Sequence, residues 1–239
     1  MARLRADMLL VARGLAESRA KARAAIEAGG VMADGVRVGK PSDLIKEDAA
    51  LDVTPPHPWV SRGGVKLAAA LEAFGVDPRG RVCLDVGAST GGFTDVLLAR
   101  DAAKVYAVDV GSRQLHAKLR GDARLVSLEQ TDARTLTREH IPDAPSLIVC
   151  DVSFIGAGKA LAVPLSLAAT RAELVALIKP QFEAGPGKGG VLDEMTARAA
   201  ADQAIAALAG VAGFQFVAVI DSPIRGGDGN LELLLHARR

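Results

Sequence analysis

Four charged residues lie beside or inside apolar runs, where a charge is costly unless it is paired or used. Asp151 and Lys179 each follow directly on an apolar run of strand length, Glu232 lies inside the last such run, and Lys66 precedes the first. If those runs are parallel strands, Asp151 and Lys179 lie at the carboxyl edge of the sheet, where open α/β sheets bind ligands. Taken singly, Lys66 could be a surface lysine and Glu232 an edge-strand charge. A lysine in such a cleft can accept a proton if burial and a neighbouring cation lower its pKa.

A glycine-rich segment, Asp85–Phe93, follows an apolar run and precedes a helical pattern. As a dinucleotide fingerprint it would need glycine where Ser89 stands, because a pyrophosphate must approach the backbone there, so NAD is disfavoured. The stretch Gly87–Gly91 also matches the nucleophile elbow of serine hydrolases, with Ser89 as the nucleophile. Such an elbow normally follows an oxyanion loop and further strands, and here only a small separate unit precedes it.

The third interpretation of this segment is that it binds S-adenosylmethionine, and this is the one we expect. The residues expected to pack against its methionine part are Gly87, Ala88, Ser89, Thr90, Gly91 and Gly92. Asp85 would lie near its α-amino group, and Asp109, at the end of the next apolar run, is placed to take the ribose hydroxyls. Asp132 could reach the adenine amino group or cap a helix beside Arg134, and both alternatives stay open.

From residue 62 onward, apolar runs alternate with helical stretches rich in alanine and leucine. Seven strands are predicted, at Val82–Val86, Val105–Val110, Leu125–Leu128, Leu147–Cys150, Leu174–Ile178, Phe214–Ile220 and Leu231–Leu235. Near-continuous apolar strands separated by helices indicate an α/β fold with a parallel sheet covered on both faces. The last two strands are joined by a glycine-rich turn with no room for a helix, so they should pair antiparallel. This ending is typical of the class I (Rossmann-like) methyltransferase fold with a seven-stranded, mostly parallel sheet.

Residues 1–53 form a separate unit, which the proline-rich linker 54–61 joins to the domain at 62–239. Two short helical patterns, the second with Ser18 as its N-cap, precede a hairpin signal around Asp34-Gly35. Residues 1–40 hold eight Lys or Arg and four Asp or Glu, a net charge of +4, whereas the charges of 54–239 sum to zero. A nucleic-acid-binding surface requires such a positive excess.

The small N-terminal α+β unit resembles the S4 RNA-binding domain in its segments Arg3–Leu10, Ser18–Arg23 and Gly29–Val38. The resemblance implies that the second helix and the hairpin lie along structured RNA, where guanidinium groups fork onto phosphate oxygens. The residues expected to bind RNA are Arg3, Arg5, Arg19, Lys21, Arg23 and Arg37.

In the larger domain, Lys66, Asp151, Lys179 and Glu232 match the Lys-Asp-Lys-Glu set of FtsJ-like ribose 2′-O-methyltransferases. With the S4-like unit, the linker and the glycine loop in this order, the whole chain resembles the TlyA (hemolysin A) family of bacterial rRNA cytidine 2′-O-methyltransferases. The matching runs are Val60–Lys66, Cys83–Thr94, Asp151–Ile155, Leu177–Glu183 and Gly229–Glu232.

The resemblance implies methyl transfer from S-adenosylmethionine to the ribose 2′-hydroxyl of a cytidine in ribosomal RNA or a ribosomal subunit. The short ends of the chain are similar to the subtype that modifies only the large-subunit (23S) rRNA. Lys179 would accept the hydroxyl proton with Lys66 as the neighbouring cation, while Asp151 and Glu232 hold the amines and the hydroxyl in register. The segment Asp151–Phe154 also has the spacing of a motif of base amino-group methyltransferases, but it lacks that motif's prolines.

The composition points to a cytoplasmic protein without metal or membrane partners. Cys83 and Cys150 fall inside apolar runs and are expected to be small core residues in a reducing compartment. The four histidines show no zinc-type spacing, and the apolar run Met8–Ala12 is too short for a signal peptide. Two other functions stay open: a serine hydrolase that uses Ser89, and a non-catalytic RNA-binding or ribosome-assembly factor.

Overall fold

The computed structural model describes residues 2–183, 191–209 and 211–239. The chain divides into two compact units, residues 1–58 and residues 59–239. This division falls inside the proline-rich segment 54–61. Among the described helices, none combines the length and the apolar character needed to span a bilayer.

The smaller unit combines two helices with short antiparallel strands. Its elements are β1 (Arg3–Arg5), α1 (Ala6–Ala12), α2 (Arg19–Glu27), β2 (Val31–Ala33), β3 (Val36–Arg37), β4 (Leu44–Lys46) and β5 (Leu51–Val53). Strand β1 pairs with β4, and β3-β2-β5 form a second sheet. The Ser18 side chain accepts a hydrogen bond from Lys21 N and so caps α2. Asp34 and Gly35 both have positive φ, as the tight hairpin turn requires, and the predicted helix–helix–hairpin unit is confirmed.

A buried carboxylate connects the two helices of this unit. Asp7 on α1 is fully buried. Arg5 donates to both of its oxygens, at 3.0 and 3.1 Å, and Arg19 from α2 donates to Oδ2 at 3.0 Å. The hydrogen bond from Arg5, reinforced by Arg19, lowers the pKa of Asp7 to about 2 although its burial acts in the opposite direction. Two of the arginines predicted to bind RNA therefore also hold the unit together.

The larger unit is an α/β domain built on one seven-stranded sheet. Its elements are α3 (Arg62–Phe74), β6 (Val82–Val86), α4 (Gly92–Ala99), β7 (Lys104–Val108), β8 (Leu125–Leu128), β9 (Leu147–Cys150), α5 (Ala157–Ser166), β10 (Glu173–Ile178), α6 (Pro180–Glu183), α7 (Glu194–Leu208), β11 (Gln215–Asp221) and β12 (Leu233–Arg238). The strand order is β11-β12-β10-β9-β6-β7-β8, with β12 antiparallel to both of its neighbours and the other pairs parallel. The predicted class I methyltransferase fold is confirmed.

Both faces of the sheet are covered, as its continuous apolar strands predicted. On one face, side chains of α5 and α7 such as Leu161 and Ala201 pack against the strands, and on the other, Leu67 of α3 and Leu97 of α4 do so. The expected alternation of strands and helices fails around β8. The segments that connect β7 to β8 and β8 to β9 are described in full, and they contain short 3₁₀ turns in place of long helices. Glu232 also differs: β12 begins at Leu233, so this carboxylate lies just before the strand and not inside it.

The buried cluster at Asp7 predicts a pH-dependent contribution to stability. Because the pKa of Asp7 is about 2 in the folded chain, against an ordinary value of 3.8, the ionised carboxylate stabilises α1 above pH 4. This contribution is lost as the pH falls through 2. We expect Asp7→Asn to speed amide hydrogen exchange in α1 of the full chain above pH 4, and the difference from wild type to shrink toward pH 2. A difference that stays constant from pH 6 to pH 2 would contradict this assignment.

Candidate functional site

The glycine loop and three of the four predicted catalytic side chains line one cleft of about 200 Å³ in the larger unit. Lys66 comes from α3, Asp151 follows β9 and Lys179 follows β10, so two of the three lie at the carboxyl ends of neighbouring parallel strands. Glu232 is joined to this cleft through Lys66, with which it forms an ion pair. The structure thus brings together residues that are far apart in the sequence.

The four side chains form two separate ion pairs. Lys66 Nζ donates to Glu232 Oε2, and both side chains are buried, with 8% and 3% of their surface exposed. Lys179 Nζ lies 2.6 Å from Asp151 Oδ1, at angles outside the range of a hydrogen bond, and donates to Ser153 Oγ at 2.8 Å. Each lysine therefore has a carboxylate of its own, and Ser153 fixes the direction of the second amine.

The glycine loop turns tightly over the end of β9. Gly87 has φ +83°, and a Cβ built there would lie 2.8 Å from the carbonyl oxygen of Asp151, so a side chain is excluded for two independent reasons. Ser89 also has positive φ, +48°, and its backbone N–H donates to Asp109 Oδ2 at 2.8 Å. Asp109 Oδ1 accepts from Gly111 N at 2.7 Å. Asp109 thereby connects the glycine loop to the end of β7.

Asp85 contains a buried oxygen atom that has no donor. Its Oδ2 accepts from Thr94 Oγ1 at 2.7 Å, while its Oδ1 is buried and has no hydrogen-bond partner. Burial raises the pKa of Asp85 to about 7, and the nearby carboxylates of Asp151 and Asp109 act in the same direction. An ammonium group would supply both the missing donor and the missing positive charge. The residues present therefore fit the α-amino end of S-adenosylmethionine.

A second cleft, of about 530 Å³, adjoins the first and shares Gly87, Ser89, Asp151 and Ser153 with it. Asp109 and Asp132 line this cleft as well. It has room for a nucleoside next to the glycine loop, which is where the sequence places the ribose and the adenine.

Asp132 is engaged with its own neighbour in this structure. It caps a 3₁₀ turn by accepting from Arg134 N at 2.9 Å, and it pairs with the Arg134 guanidinium. The hydrogen bonds from that guanidinium lower the pKa of Asp132 to about 2. Of the two alternatives for Asp132, helix capping is therefore the one that the structure contains, although the residue also faces the larger cleft.

Sequence reasoning missed three residues that the structure brings to the site. Thr94 holds Asp85, and Ser153 holds Lys179. Phe154 is 90% exposed, has φ +67° and packs against Phe182 with ring centroids 5.2 Å apart. An exposed aromatic ring at the rim of a cleft can stack on a nucleobase. Ser153 and Phe154 lie in the segment Asp151–Phe154, which has the spacing of a methyltransferase motif, but that spacing predicted no role for either residue.

The basic residues predicted to bind RNA have different surroundings in the smaller unit. Arg5 and Arg19 hold Asp7, as described above. Lys21 and Arg23 are exposed on α2 and form i,i+4 pairs with glutamates, at 2.6 and 3.8 Å. The two others, Arg3 and Arg37, are exposed on β1 and β3. Exposed ion pairs of this kind are weak, so phosphate groups can compete for these side chains.

Comparison with known proteins gives consistent matches over the whole chain. The FtsJ-like methyltransferase family model matches residues 59–239, and the S4 domain model matches residues 4–51. The 16S/23S rRNA (cytidine-2′-O)-methyltransferase TlyA of Mycobacterium tuberculosis is 46% identical over 99% of this chain and 90% of its own. The 23S rRNA (cytidine-2′-O)-methyltransferase TlyA of Campylobacter jejuni is 37% identical over 80% of this chain and 76% of its own. A solved structure from Streptococcus thermophilus, which is named a hemolysin, is 38% identical with a TM-score of 0.76, covering 100% of this chain and 89% of its own.

The buried pair between Lys66 and Glu232 predicts that removing one partner destabilises the fold far more than removing both. Lys66→Met leaves Glu232 buried without a partner, and we expect it to lower the free energy of unfolding by about 3–5 kcal/mol. Lys66→Met combined with Glu232→Leu removes both charges and should recover most of that loss. Urea denaturation of the three proteins measures this. Equal stability of the single variant and the wild type would show that the pair is not formed.

Proposed function

The chain belongs to the FtsJ-like methyltransferase family, and on this premise we propose that it transfers a methyl group from S-adenosylmethionine to the ribose 2′-hydroxyl of a cytidine in ribosomal RNA. The observation that carries the proposal is the single cleft in which Lys66, Asp151 and Lys179 meet the glycine loop. The relatives from M. tuberculosis and C. jejuni share 23S rRNA in their names, so we propose large-subunit rRNA as the substrate. Because the proposed substrate is ribosomal RNA, we propose that the protein acts in the cytoplasm.

The chain's own residues would hold S-adenosylmethionine in the two adjoining clefts. When bound, it supplies an electrophilic methyl group on a sulfonium. Asp85 would pair with the α-amino group through its unpartnered Oδ1, and the loop 87–92 would pack against the methionine part. Asp109 would take the ribose hydroxyls at the end of β7, and Asp132 would lie beside the adenine.

The two ion pairs would prepare the ribose hydroxyl for attack. A 2′-hydroxyl is a poor nucleophile and must lose its proton as the new bond forms, so a base within hydrogen-bond reach is needed. We assign this role to the neutral amine of Lys179, which Ser153 orients, and Asp151 then stabilises the ammonium that results. The sequence predicts Lys66 as the neighbouring cation of Lys179, but Glu232 offsets its charge in this structure. We propose instead that Lys66, held by Glu232, orients the hydroxyl. Positioning of the two reactants supplies much of the rate in such a site.

RNA binding and methyl transfer are assigned to different units of the chain. We propose that residues 1–53 bind structured RNA through exposed basic residues, among them Lys21 and Arg23, while 62–239 carry the chemistry and 54–61 connect them. Arg5 and Arg19 contribute to this surface mainly by holding Asp7.

Two other functions are less well supported. A serine hydrolase would need a general base beside Ser89, and the described residues that line its two clefts include no histidine. A non-catalytic RNA-binding factor would have no use for the orphaned oxygen of Asp85, for the buried Lys66–Glu232 pair or for the partly exposed Lys179–Asp151 pair beside it. Binding of S-adenosylmethionine separates that alternative from the enzyme.

Lys179→Met tests the assigned base. We expect it to lower methyl transfer from labelled S-adenosylmethionine to rRNA by at least about 10²-fold, because methionine cannot accept the hydroxyl proton, while both substrates still bind. Lys104→Met, which removes a lysine at the start of β7 that lines neither cleft, is the matched control and should retain wild-type activity. Wild-type activity in Lys179→Met would show that another group is the base.

Asp109→Ala tests the cofactor cleft. The variant loses the proposed hydrogen bonds to the ribose and also those from Ser89 N of the glycine loop and from Gly111 N, so its dissociation constant for S-adenosylmethionine should rise at least about tenfold. RNA affinity should stay unchanged. Asp143→Ala removes a carboxylate that is hydrogen-bonded to Tyr106 of β7, and serves as the control. Calorimetric titration that finds equal cofactor affinity in Asp109→Ala and wild type would remove this residue from the site.

Lys21→Glu with Arg23→Glu tests the RNA-binding surface while leaving Asp7 and its two arginines intact. We expect weaker rRNA binding, and the slope of the logarithm of affinity against the logarithm of salt concentration should fall by about 0.7–0.9 for each phosphate that the variant no longer neutralises. Arg138→Glu with Arg171→Glu, at two exposed positions of the larger unit, makes an equal change in net charge and is the control. An unchanged salt dependence in filter binding would mean that α2 does not contact phosphates.

A further inference from the structure

Two loops carry most of the proposed chemistry, and they are joined by more than the catalytic ion pair. The first loop, 151–156, connects β9 to α5, and the second begins at Lys179 and continues as α6. Lys179 contacts Asp151 and Ser153, and the ring of Phe154 packs on that of Phe182. A third contact lies beyond these two, where the end of α6 meets the first residue of α5.

That contact is an unusual helix cap. The first N–H groups of a helix have no partners within it, and a Ser, Thr, Asp or Asn at the N-cap normally supplies an acceptor. The N-cap of α5 is Gly156, which has no side chain to do so. Instead Glu183 Oε1, from the end of α6, accepts from Ala157 N at 2.8 Å. A carboxylate is also the group that the positive end of a helix favours.

Gly156 and Glu183 depend on each other. A Cβ built on Gly156 would lie 2.5 Å from Glu183 Oε2, so any side chain at position 156 displaces the carboxylate. The backbone of Gly156 has φ −65° and ψ 141°, which every residue type can adopt. Space for Glu183, and not backbone conformation, is therefore the reason for glycine at this N-cap. The half-buried carboxyl has a raised pKa because of its burial, opposed by the Ala157 N–H and by Lys159.

We propose that Glu183 is a positioning residue, which caps α5 from α6 and thereby holds the loop of Asp151 and Ser153 in register with Lys179. The proposal rests on the methyl-transfer function proposed above. Without the cap, the contacts described above that still join the two loops are those of Lys179 and the packing of Phe154 on Phe182. A displacement on the order of 1 Å at such groups can lower a rate by on the order of 10²-fold.

Single-turnover methyl transfer to rRNA, at saturating cofactor and well below the melting temperature, tests this role. Glu183→Ala should lower the rate constant at least about tenfold, with a much smaller change in the dissociation constant for S-adenosylmethionine. Glu183→Gln keeps an oxygen for the Ala157 N–H and should stay within about threefold of wild type. Equal losses in the Ala and Gln variants, or a wild-type rate in Glu183→Ala, would overturn the proposal.

Gly156→Ala disrupts the same contact by adding a Cβ where the Glu183 carboxylate lies. It should reproduce the loss in Glu183→Ala, and the double variant should be no slower than either single one, because both remove one interaction. Gly158→Ala is the matched control, since a Cβ there meets its nearest neighbour at 3.9 Å and should leave the rate unchanged. Additive losses in the double variant would show that the two residues act separately.

Amide hydrogen exchange distinguishes a failure of this inference from a failure of the proposed function. The Ala157 amide should exchange faster in Glu183→Ala than in wild type, whether or not the wild type methylates RNA. A wild type that transfers no methyl group, with this exchange difference present, contradicts the function and leaves the cap standing. Unchanged exchange at Ala157 removes the cap, and with it the positioning role.

Discussion

The buried ion pair between Lys66 and Glu232 is the constraint on which the site depends. It joins α3, the first helix of the larger unit, to the residue before β12, its last strand, across 166 positions of sequence. Burying two charges costs several kcal/mol for each, and only a close partner offsets that cost. In other proteins, apolar side chains of similar volume often give about the same stability as a buried ion pair. We therefore attribute the pair to the proposed site, which needs an amine held in one direction, and not to the stability of the fold.

The sheet topology brings the remaining groups to the same place. The three neighbouring parallel strands β6, β9 and β10 end side by side, and the glycine loop, Asp151 and Lys179 follow them directly. Asp109 follows β7 on the other side of β6. Cofactor groups and proton-transfer groups thus occupy neighbouring segments of one sheet edge. The antiparallel strand β12 completes this arrangement, because only a reversed strand brings its preceding residue, Glu232, to that edge.

Local patterns were enough to predict the architecture and to place several of the predicted site residues at one edge of the sheet. Continuous apolar runs predicted the parallel strands, and a polar residue directly after a run, as at Asp151 and Lys179, indicated which side chains lie at the carboxyl edge. Which carboxylate pairs with which lysine could not be predicted, because that depends on side chains far apart in the sequence. The same holds for the contact of Glu183 with Ala157 and for the two arginines on Asp7. For Asp132 the difficulty is local. Its side chain accepts from Arg134 N, two residues away, and this cap competes with any ligand for the carboxylate.

The position of the transferred methyl group on the product nucleoside shows whether the ribose 2′-hydroxyl of a cytidine is the acceptor. Ribosomal RNA is methylated by the wild-type chain with labelled S-adenosylmethionine and digested to nucleosides, which are identified by mass spectrometry. The account predicts 2′-O-methylcytidine, with the label on the ribose fragment and a backbone linkage that resists alkali at that position. Label on the base fragment, as in a methylated amino group or ring carbon, would contradict the account.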